Sequence, residues 1–266
     1  MESSALARKF SCCGVPIALM DLQEAVFSIL TDIHQRKPGT VRFVNAYTVS
    51  CAFENINYLE ELTNEGLNLL DSKNISLIYG LLFRGLKPIN QIRGYDFLLK
   101  ILQDRSEIRH IFIGSTDETL QRMRMNILEL FPWQANAIFY SPPFINDVDK
   151  LVSEISVNII PNENDLIWVS LGTPKQDQVA LKLFYEWNVT VVAVGAAFNY
   201  LAGNLHDCPK IVRQLGFEWL FRLYLEPRRL WRRYLFGNMN FINNVFKHFL
   251  IDKKINSTQR KNGEIS

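Results

Sequence analysis

Short apolar runs alternate with segments of helical apolar spacing between Asp21 and Val194. The apolar runs predict buried strands, at Thr40–Val44, Leu67–Leu70, His110–Ile113, Asn136–Tyr140, Leu166–Ser170 and Val189–Val194. The helical spacings predict helices, at Asp21–Gln35, Thr48–Asn57, Tyr95–Gln103 and Asp147–Ser156, with three more ending at Leu82, Leu130 and Trp187. This alternation predicts an α/β fold, a mostly parallel Rossmann-like sheet with helices on both faces.

Ligands of such sheets bind beyond the carboxyl ends of the strands. The loops that follow the predicted strands are therefore the places to look for a site. They are residues 45–47, 71–76, 114–117, 140–145, 171–177 and 195–204.

The pattern changes after Pro209, where only helical spacing continues. We therefore expect a catalytic α/β domain over residues 14–208 and a helical appendage over 209–250. Pro227 suits the first turn of a separate helix within that appendage. Residues 251–266 are polar and predict a disordered tail.

The appendage concentrates arginines and large aromatics between Arg213 and Tyr234. Six arginines face two glutamates there, a balance of about +4, whereas the whole chain carries +2. Arginine forks suit diphosphates, and arginines mixed with Trp and Tyr suit a lipid headgroup layer. A solvated helix pair with an apolar inner face is the alternative interpretation.

Several function classes find no support in the sequence. No apolar run approaches the about 20 residues of a membrane span, and the N-terminus lacks the form of a signal peptide. The cysteines lack metal-ligand spacing, which favours a reduced cytoplasmic protein. They are Cys12, Cys13, Cys51 and Cys208. Dinucleotide and P-loop glycine patterns are missing, and the scattered histidines predict no metal site. Asp147 and Asp149 open a helix, so capping is favoured over metal binding.

The segment Ser170–Asp177 (SLGTPKQD) predicts a turn from a buried strand into a helix. Gly172 and Thr173 would form the turn, and the helix amides with Lys175 could hold an anion. Gln176 could bind a base edge or a sugar hydroxyl. A well-capped turn without a ligand is the alternative.

Two motifs in the second half, VSLGTPKQD and VGAAFNYLAGNLHDCPKIVRQLGFEWLFRLYLEPRRLWRRYLFGN, closely resemble the WecG/TagA/CpsF family of bacterial glycosyltransferases. FVNAYTV, LLDSKNISLI, IRGYDFL and IFIGSTDE match it more loosely, so the resemblance runs from about Gly14 to Phe246. It implies transfer of a sugar, N-acetylmannosamine-like or another hexose, from a UDP-sugar to a polyprenyl-diphosphate-linked acceptor in cell-surface polysaccharide synthesis. The family's enzymes are described as inverting and metal-independent, so no cofactor is expected, and as peripheral to the inner face of the cell membrane through the appendage.

The resemblance also implies roles for individual residues. Asn45 would position the sugar or the acceptor, and the Gly195–Asn199 segment would contact the nucleotide through Gly195, Phe198 and Asn199. The appendage spacing falls on Arg222, Arg229 and Arg232, which would neutralise the diphosphate.

One departure from the family affects the catalytic base. Lys73 occupies the position where the family has an acidic residue, and Asp71 lies two residues earlier. We expect Asp71 to be the base, with capping of the following helix as its alternative role and Asp96 as the reserve candidate. Tyr140–Phe144 (YSPPF) likewise replaces the family's glycine-tyrosine-phenylalanine loop, so the donor sugar stays open.

Two rival functions remain at this point. One is a UDP-sugar-binding relative without transfer activity, and the other is a basic peripheral membrane-binding module. Nucleic acid is not expected, because the charge is confined to one block without a recognised binding motif. The sequence leaves the acceptor, the linkage and any homo-oligomer open.

Overall fold

The structure is a computed structural model that describes residues 8–64, 66–82, 90–228, 230–231, 240–241 and 243–245 of the 266-residue chain. The strands are β1 Lys9–Cys12, β2 Val15–Ala18, β3 Thr40–Val44, β4 Leu67–Leu70, β5 His110–Gly114, β6 Ile138–Tyr140, β7 Leu166–Ser170 and β8 Thr190–Ala193. The helices of the α/β part are α1 Leu22–His34, α2 Ala46–Glu54, α3 Ile56–Asn64, α4 Lys73–Leu82, α5 Gly94–Leu102, α6 Asp117–Leu130, α7 Val148–Asn158, α8 Lys175–Trp187 and α9 Ala197–Leu201. The helices α10 Lys210–Gln214 and α11 Glu218–Leu225 follow.

Six strands form one parallel sheet in the order β4-β3-β8-β7-β5-β6. This confirms the predicted α/β class. Strands β3, β4, β7 and β8 are buried along their whole length, as expected of parallel strands covered on both faces. The runs of Val, Ile, Leu and Phe in the sequence follow from that burial.

Alternate residues of the strands pack into two separate hydrophobic cores, one on each face of the sheet. Phe112, Trp168 and Val192 pack with α1, α5, α6 and α9 on one face. Ile111, Ile113 and Val169 pack with α7 and α8 on the other. Helices on both faces were predicted and are confirmed.

The segment predicted as one helix, Thr48–Asn57, is divided between α2 and α3. Asn55 ends α2 in an extended conformation, with φ −132° and ψ 104°. Its side-chain oxygen accepts hydrogen bonds from the backbone N–H groups of Asn57 and Tyr58, at 3.1 and 3.2 Å. Because asparagine competes in this way for the backbone, it ends one helix and caps the next.

An antiparallel hairpin, β1–β2, precedes the main sheet and was not predicted from the sequence. Cys13 and Gly14 connect the strands with φ values of 51° and 90°. Two successive positive φ values are typical of the tightest hairpin turns. Phe10, Val15 and Ile17 pack against α2, α3 and Phe241, which lies far along the chain.

After Pro209 the described residues are helical, as predicted. Pro227 begins a further helical stretch, and the Leu230 N–H donates to the Glu226 carbonyl at 3.0 Å. No helix in the described ranges has both the length and the hydrophobicity needed to cross a bilayer. The predicted tail at 251–266 lies outside the described residues.

Candidate functional site

A cavity of about 710 Å³ lies at the carboxyl ends of the parallel strands. Every loop selected from the sequence contributes to its lining, through Asn45, Asp71, Ser115, Thr116, Asp117, Ser141, Pro142, Pro143, Phe144, Gly172, Thr173, Lys175, Gln176, Gly195, Ala196 and Asn199. Strand β7 connects towards β8, whereas its neighbour β5 connects towards β6. Such a reversal between adjacent strands opens a crevice, and ligands of doubly wound folds bind there.

The turn after β7 is held from inside by Gln176. Its side-chain oxygen accepts from the Gly172 N–H at 3.1 Å, and its Nε2 donates to Thr173 Oγ1 at 3.5 Å. Gln176 is buried although it lines the cavity. The structure therefore gives Gln176 a loop-holding role, and its direct contact with a nucleotide stays a prediction.

The start of α8 is anchored to the rest of the protein. Asp177 accepts a hydrogen bond from the Tyr58 hydroxyl of α3 at 2.7 Å. The Gln176 and Asp177 N–H groups donate to the Gly172 and Pro174 carbonyls, so they are already used within the turn. Less of the helix N-terminus is thus available to an anion than the sequence suggested.

Lys175 and Phe144 lie together at the cavity. Lys175 Nζ donates to the Ile145 carbonyl and lies 5.4 Å from the centroid of the Phe144 ring. Phe144 is 89% exposed and lines the cavity, so it offers an open aromatic face to a ligand. No role for Phe144 was predicted from the sequence beyond its place in the YSPPF loop. An exposed aromatic after a double proline was the signal that could have identified it.

Asn45 caps α2 at the end of β3. Its Oδ1 accepts from the Tyr47 and Thr48 N–H groups at 3.0 and 3.2 Å. Its Nδ2 donates no hydrogen bond to any of the described residues. The cap fixes the side chain beside the cavity, where the amide nitrogen is the group suited to donate to a ligand.

Asp71 directly follows β4 and lines the same cavity. It does not cap the next helix, because the Ile75 N–H donates to Ser72 Oγ at 3.3 Å. The capping alternative for Asp71 is therefore wrong. Its own carboxylate accepts instead from Gln91 Nε2 at 3.4 Å.

The pKa of Asp71 is raised from its usual acidic range to about 7. Burial is the largest cause, and the negative charge of Glu218 adds to it. Arg93, the Gln91 hydrogen bond and Arg222 act in the opposite direction. A carboxylate that titrates near neutral pH suits a general base.

A second, smaller cavity of about 90 Å³ lies between the sheet and α11. Asn45, Asp71 and Arg222 line both cavities, so these three residues lie where the two meet. Lys73 lines only the smaller one, together with Glu218 and Trp219 among others. The structure thus brings Asn45 and Asp71 together and places Lys73 towards α11.

Arg93 connects the appendage to the α/β domain. It is only 5% exposed and forms ion pairs with Asp207 at 2.7 Å and with Glu218 at 3.2 Å. Its guanidinium and that of Arg222 both lie within 6 Å of the Tyr200 ring, at 5.4 and 5.9 Å from the centroid. Arg93 belongs to the IRGYDFL motif, and no role for it was predicted from the sequence.

Only some of the remaining predicted site residues line the large cavity. Gly195 and Asn199 line the large cavity. Phe198 is fully buried and packs edge-on against Phe112, with ring centroids 5.7 Å apart, so it supports the cavity from below instead of reaching a ligand. Arg229 and Arg232 lie outside the described residues. Asp96 pairs with Arg93 at 3.4 Å and lines neither cavity.

The acidic pair on α7 has structural roles. Asp147 caps the helix by accepting from the Lys150 N–H at 2.9 Å, as predicted, and Asp149 pairs with Lys182 at 2.6 Å. In the described part of the chain, no three His, Cys, Asp or Glu side chains are arranged as metal ligands.

Comparison with known proteins agrees with the resemblance noted in the sequence. The chain is similar to an N-acetylglucosaminyldiphosphoundecaprenol N-acetyl-beta-D-mannosaminyltransferase of Bacillus spizizenii strain W23, with 27% identity over 225 residues that cover 82% of each chain. It is 23% identical to the protein of the same name from Bacillus subtilis strain 168, over 76% of this chain and 77% of the relative. The profile of the "Glycosyl transferase WecG/TagA/CpsF family" matches residues 10–255. The protein is therefore a glycosyltransferase and belongs to the WecG/TagA/CpsF family.

Proposed function

We propose that the protein transfers a sugar, with inversion, from a UDP-sugar to a polyprenyl-diphosphate-linked acceptor. The observation that carries this proposal is the meeting of two cavities at Asp71. A transferase must hold its donor and acceptor on either side of one base. The names of the two bacterial relatives, which act on N-acetylglucosaminyldiphosphoundecaprenol, support the choice of acceptor.

The larger cavity suits the donor. Its volume of about 710 Å³ is in the range of ligand pockets, and Lys175, whose ammonium suits a diphosphate, contributes to its lining. Phe144 is exposed and offers an aromatic face on which the nucleobase of UDP could stack. Arg222 lines both cavities, and there it would stabilise the charge that develops on the departing UDP. Arg229 and Arg232 are proposed to contribute to the same task.

The smaller cavity suits the reacting end of the acceptor. In the proposed step, an acceptor hydroxyl attacks the anomeric carbon of the donor while Asp71 takes the hydroxyl proton. The bond from that carbon to the UDP oxygen breaks, and UDP leaves with the bonding electrons. One displacement on the opposite face inverts the anomeric configuration. Asn45 would orient a sugar hydroxyl through its amide group.

Lys73 is proposed to bind a phosphate oxygen of the acceptor in the smaller cavity. Lys73 does not have to lose its proton and act as the base, because the Asp71 carboxylate lines the same cavity. Lys73 stands where the family has an acidic residue, and Pro142–Phe144 stands at the donor side of the cavity. Both differences favour a donor or acceptor that differs from those of the two bacterial relatives.

The appendage is proposed to bind the inner surface of the cell membrane. Large apolar side chains are exposed on its described helices, namely Ile211, Leu215, Phe217, Leu220, Tyr224 and Trp231. Tyr and Trp favour the membrane interface, and neighbouring arginines favour anionic headgroups. A lipid-linked acceptor would then meet the smaller cavity from the membrane side. This arrangement fits synthesis of a cell-surface polysaccharide.

The proposal is tested by offering a panel of UDP-sugars to the full chain with lipid-diphosphate-linked sugars as acceptors. Mass spectrometry should find one donor that adds a single hexose-type residue to the lipid, with UDP released in equal amount. Binding of UDP-sugars without any product in the panel would instead favour a relative that has lost transfer activity. Stabilisation by UDP in a thermal-shift assay would reveal that binding.

A further inference from the structure

We propose that Glu218 is a positioning residue for the catalytic base: it shares the amide of Gln91 with Asp71, and this contact holds its charge close to the Asp71 carboxylate. This inference rests on the proposed function, because it assumes that Asp71 accepts the acceptor proton. It assigns part of the base's environment to the appendage, since Glu218 belongs to the first turn of α11.

The geometry begins with a shared donor. Gln91 Nε2 donates to Asp71 Oδ1 and to Glu218 Oε2, at 3.4 Å in each case. An amide nitrogen carries two hydrogens, so both contacts can form at once. Gln91 is itself fixed beside β4, because the N–H of the next residue, Ile92, donates to the Leu70 carbonyl at 2.7 Å.

Glu218 is held independently of Gln91. Its other oxygen, Oε1, pairs with Arg93 Nε at 3.2 Å, and Arg93 is anchored a second time by Asp207. Glu218 is partly buried, with 19% of its side chain exposed. Its charge therefore acts on Asp71 with less solvent screening than a surface charge would.

The approach of α11 to the α/β domain depends on Gly216. It has a φ of +80°, and a Cβ at that position would lie 2.7 Å from Asn74 Oδ1 of α4. This close passage brings the start of α11 next to the smaller cavity, where Glu218 and Asp71 both contribute to the lining.

The charged groups around Asp71 come from several elements. Glu218 and Arg222 belong to α11, Arg93 begins α5, and Lys73 begins α4 in the same small cavity. Glu218 raises the pKa of Asp71, whereas Arg93 and Arg222 lower it. Removing the charge of Glu218 while keeping its shape should therefore make Asp71 a weaker base that loses its proton at lower pH.

The test compares the pH dependence of kcat/KM for the wild type and Glu218→Gln. Glutamine keeps the shape of the side chain, but its single amide oxygen replaces two carboxylate oxygens, so it can accept from Gln91 or from Arg93 and the other contact is lost. The acid limb should move to lower pH by about half a unit or more. Asp207→Asn is the matched control, because it removes the charge of another acidic partner of Arg93 and leaves Gln91 and Asp71 unchanged, so its acid limb should stay in place.

A second measurement does not depend on turnover. The carboxyl carbon of Asp71, assigned by comparison with Asp71→Asn, is titrated by NMR in both forms. A lower pKa of Asp71 in Glu218→Gln supports the role of Glu218 even if no sugar donor has been found. A failure of this proposal can therefore be told apart from a failure of the proposed function. An unchanged Asp71 titration in a folded Glu218→Gln protein overturns it. If Glu218→Asp has the same acid limb of kcat/KM as the wild type, the charge of residue 218 is what matters. If Asp207→Asn shifts the acid limb as much as Glu218→Gln does, the proposal is contradicted.

Discussion

Asp71 and Glu218 accept hydrogen bonds from the same atom, the Nε2 of Gln91, although they lie in different parts of the chain. Asp71 directly follows strand β4 of the sheet, and Glu218 begins the main described helix of the appendage. The appendage also supplies Arg222, which lines both cavities with Asp71. The proposed catalytic centre is therefore built jointly by the α/β domain and the appendage.

The raised pKa of Asp71 predicts a stability effect with a definite sign. In the unfolded chain this carboxyl loses its proton in the usual acidic range, whereas in the folded protein it does so near pH 7. Between those values the folded state binds more protons, so stability falls as pH rises and the loss is complete above about 7. Asp71→Asn cannot ionise and should escape this loss. Its melting temperature should exceed that of the wild type by several degrees at pH 8, with a smaller difference at pH 5.

Calorimetry of the two proteins at both pH values checks this expectation. Asp147→Asn is a suitable control, because Asp147 caps a helix and does not line the smaller cavity. A difference for Asp71→Asn that is independent of pH would argue against a strongly shifted carboxyl.

Lys73→Ala should raise the KM for acceptor, and kcat should change much less. The physical reason is that Lys73 lines only the smaller cavity and is proposed to bind phosphate, a contact made before and during reaction. Steady-state kinetics with varied acceptor and saturating donor gives both constants. A dead Lys73→Ala enzyme beside an active Asp71→Asn enzyme would reverse the two roles.

Activity in excess EDTA should be close to that with added magnesium or manganese. The prediction rests on the proposed use of arginines and Lys175 to neutralise the diphosphate, which takes the place of a divalent cation. Initial rates of UDP release are the readout. A collapse that is rescued by metal would direct attention back to Asp149, whose partner Lys182 a cation could displace.

Binding to anionic liposomes should depend on the exposed aromatics of the appendage and on salt. Tyr224 is 82% exposed and Trp231 also faces solvent. Replacing both by serine should weaken flotation with liposomes, and high salt should weaken it further, since each basic residue near the surface contributes about 1 kcal/mol. Phe27→Ser, an exposed aromatic on α1, is the control. Binding that survives the double change would place the membrane contact elsewhere.

The sheet was predictable from the sequence because its strands are buried on both faces. Thr40–Val44, Leu67–Leu70 and Leu166–Ser170 have the bounds that their apolar runs predicted. The carboxyl ends of parallel strands share one edge, so the same pattern also located the cavity loops. Asp147 as a helix cap followed from local chemistry in the same way.

The features that could not be predicted from the sequence depend on the direction of a side chain or on contacts between distant parts of the chain. The spacing of residues could place Phe198 after a strand but could not tell that its ring turns into the core. The hairpin at Lys9–Ala18 is too short for a clear pattern of alternation. The Asp71–Gln91–Glu218 contact joins residues that no local pattern relates, because Gln91 approaches Glu218 only when α11 docks.

The role of Asp71 as the base is tested most directly by the single-turnover rate of Asp71→Asn with the donor and acceptor identified for the wild type. We expect a folded protein that binds UDP normally but transfers sugar about 100-fold more slowly or worse, because no carboxylate is left to take the proton. Ser72→Ala removes the neighbouring helix cap and one hydroxyl from the lining of the smaller cavity, and it should keep most of the rate. A near-wild-type rate for Asp71→Asn would show that Asp71 is not the base.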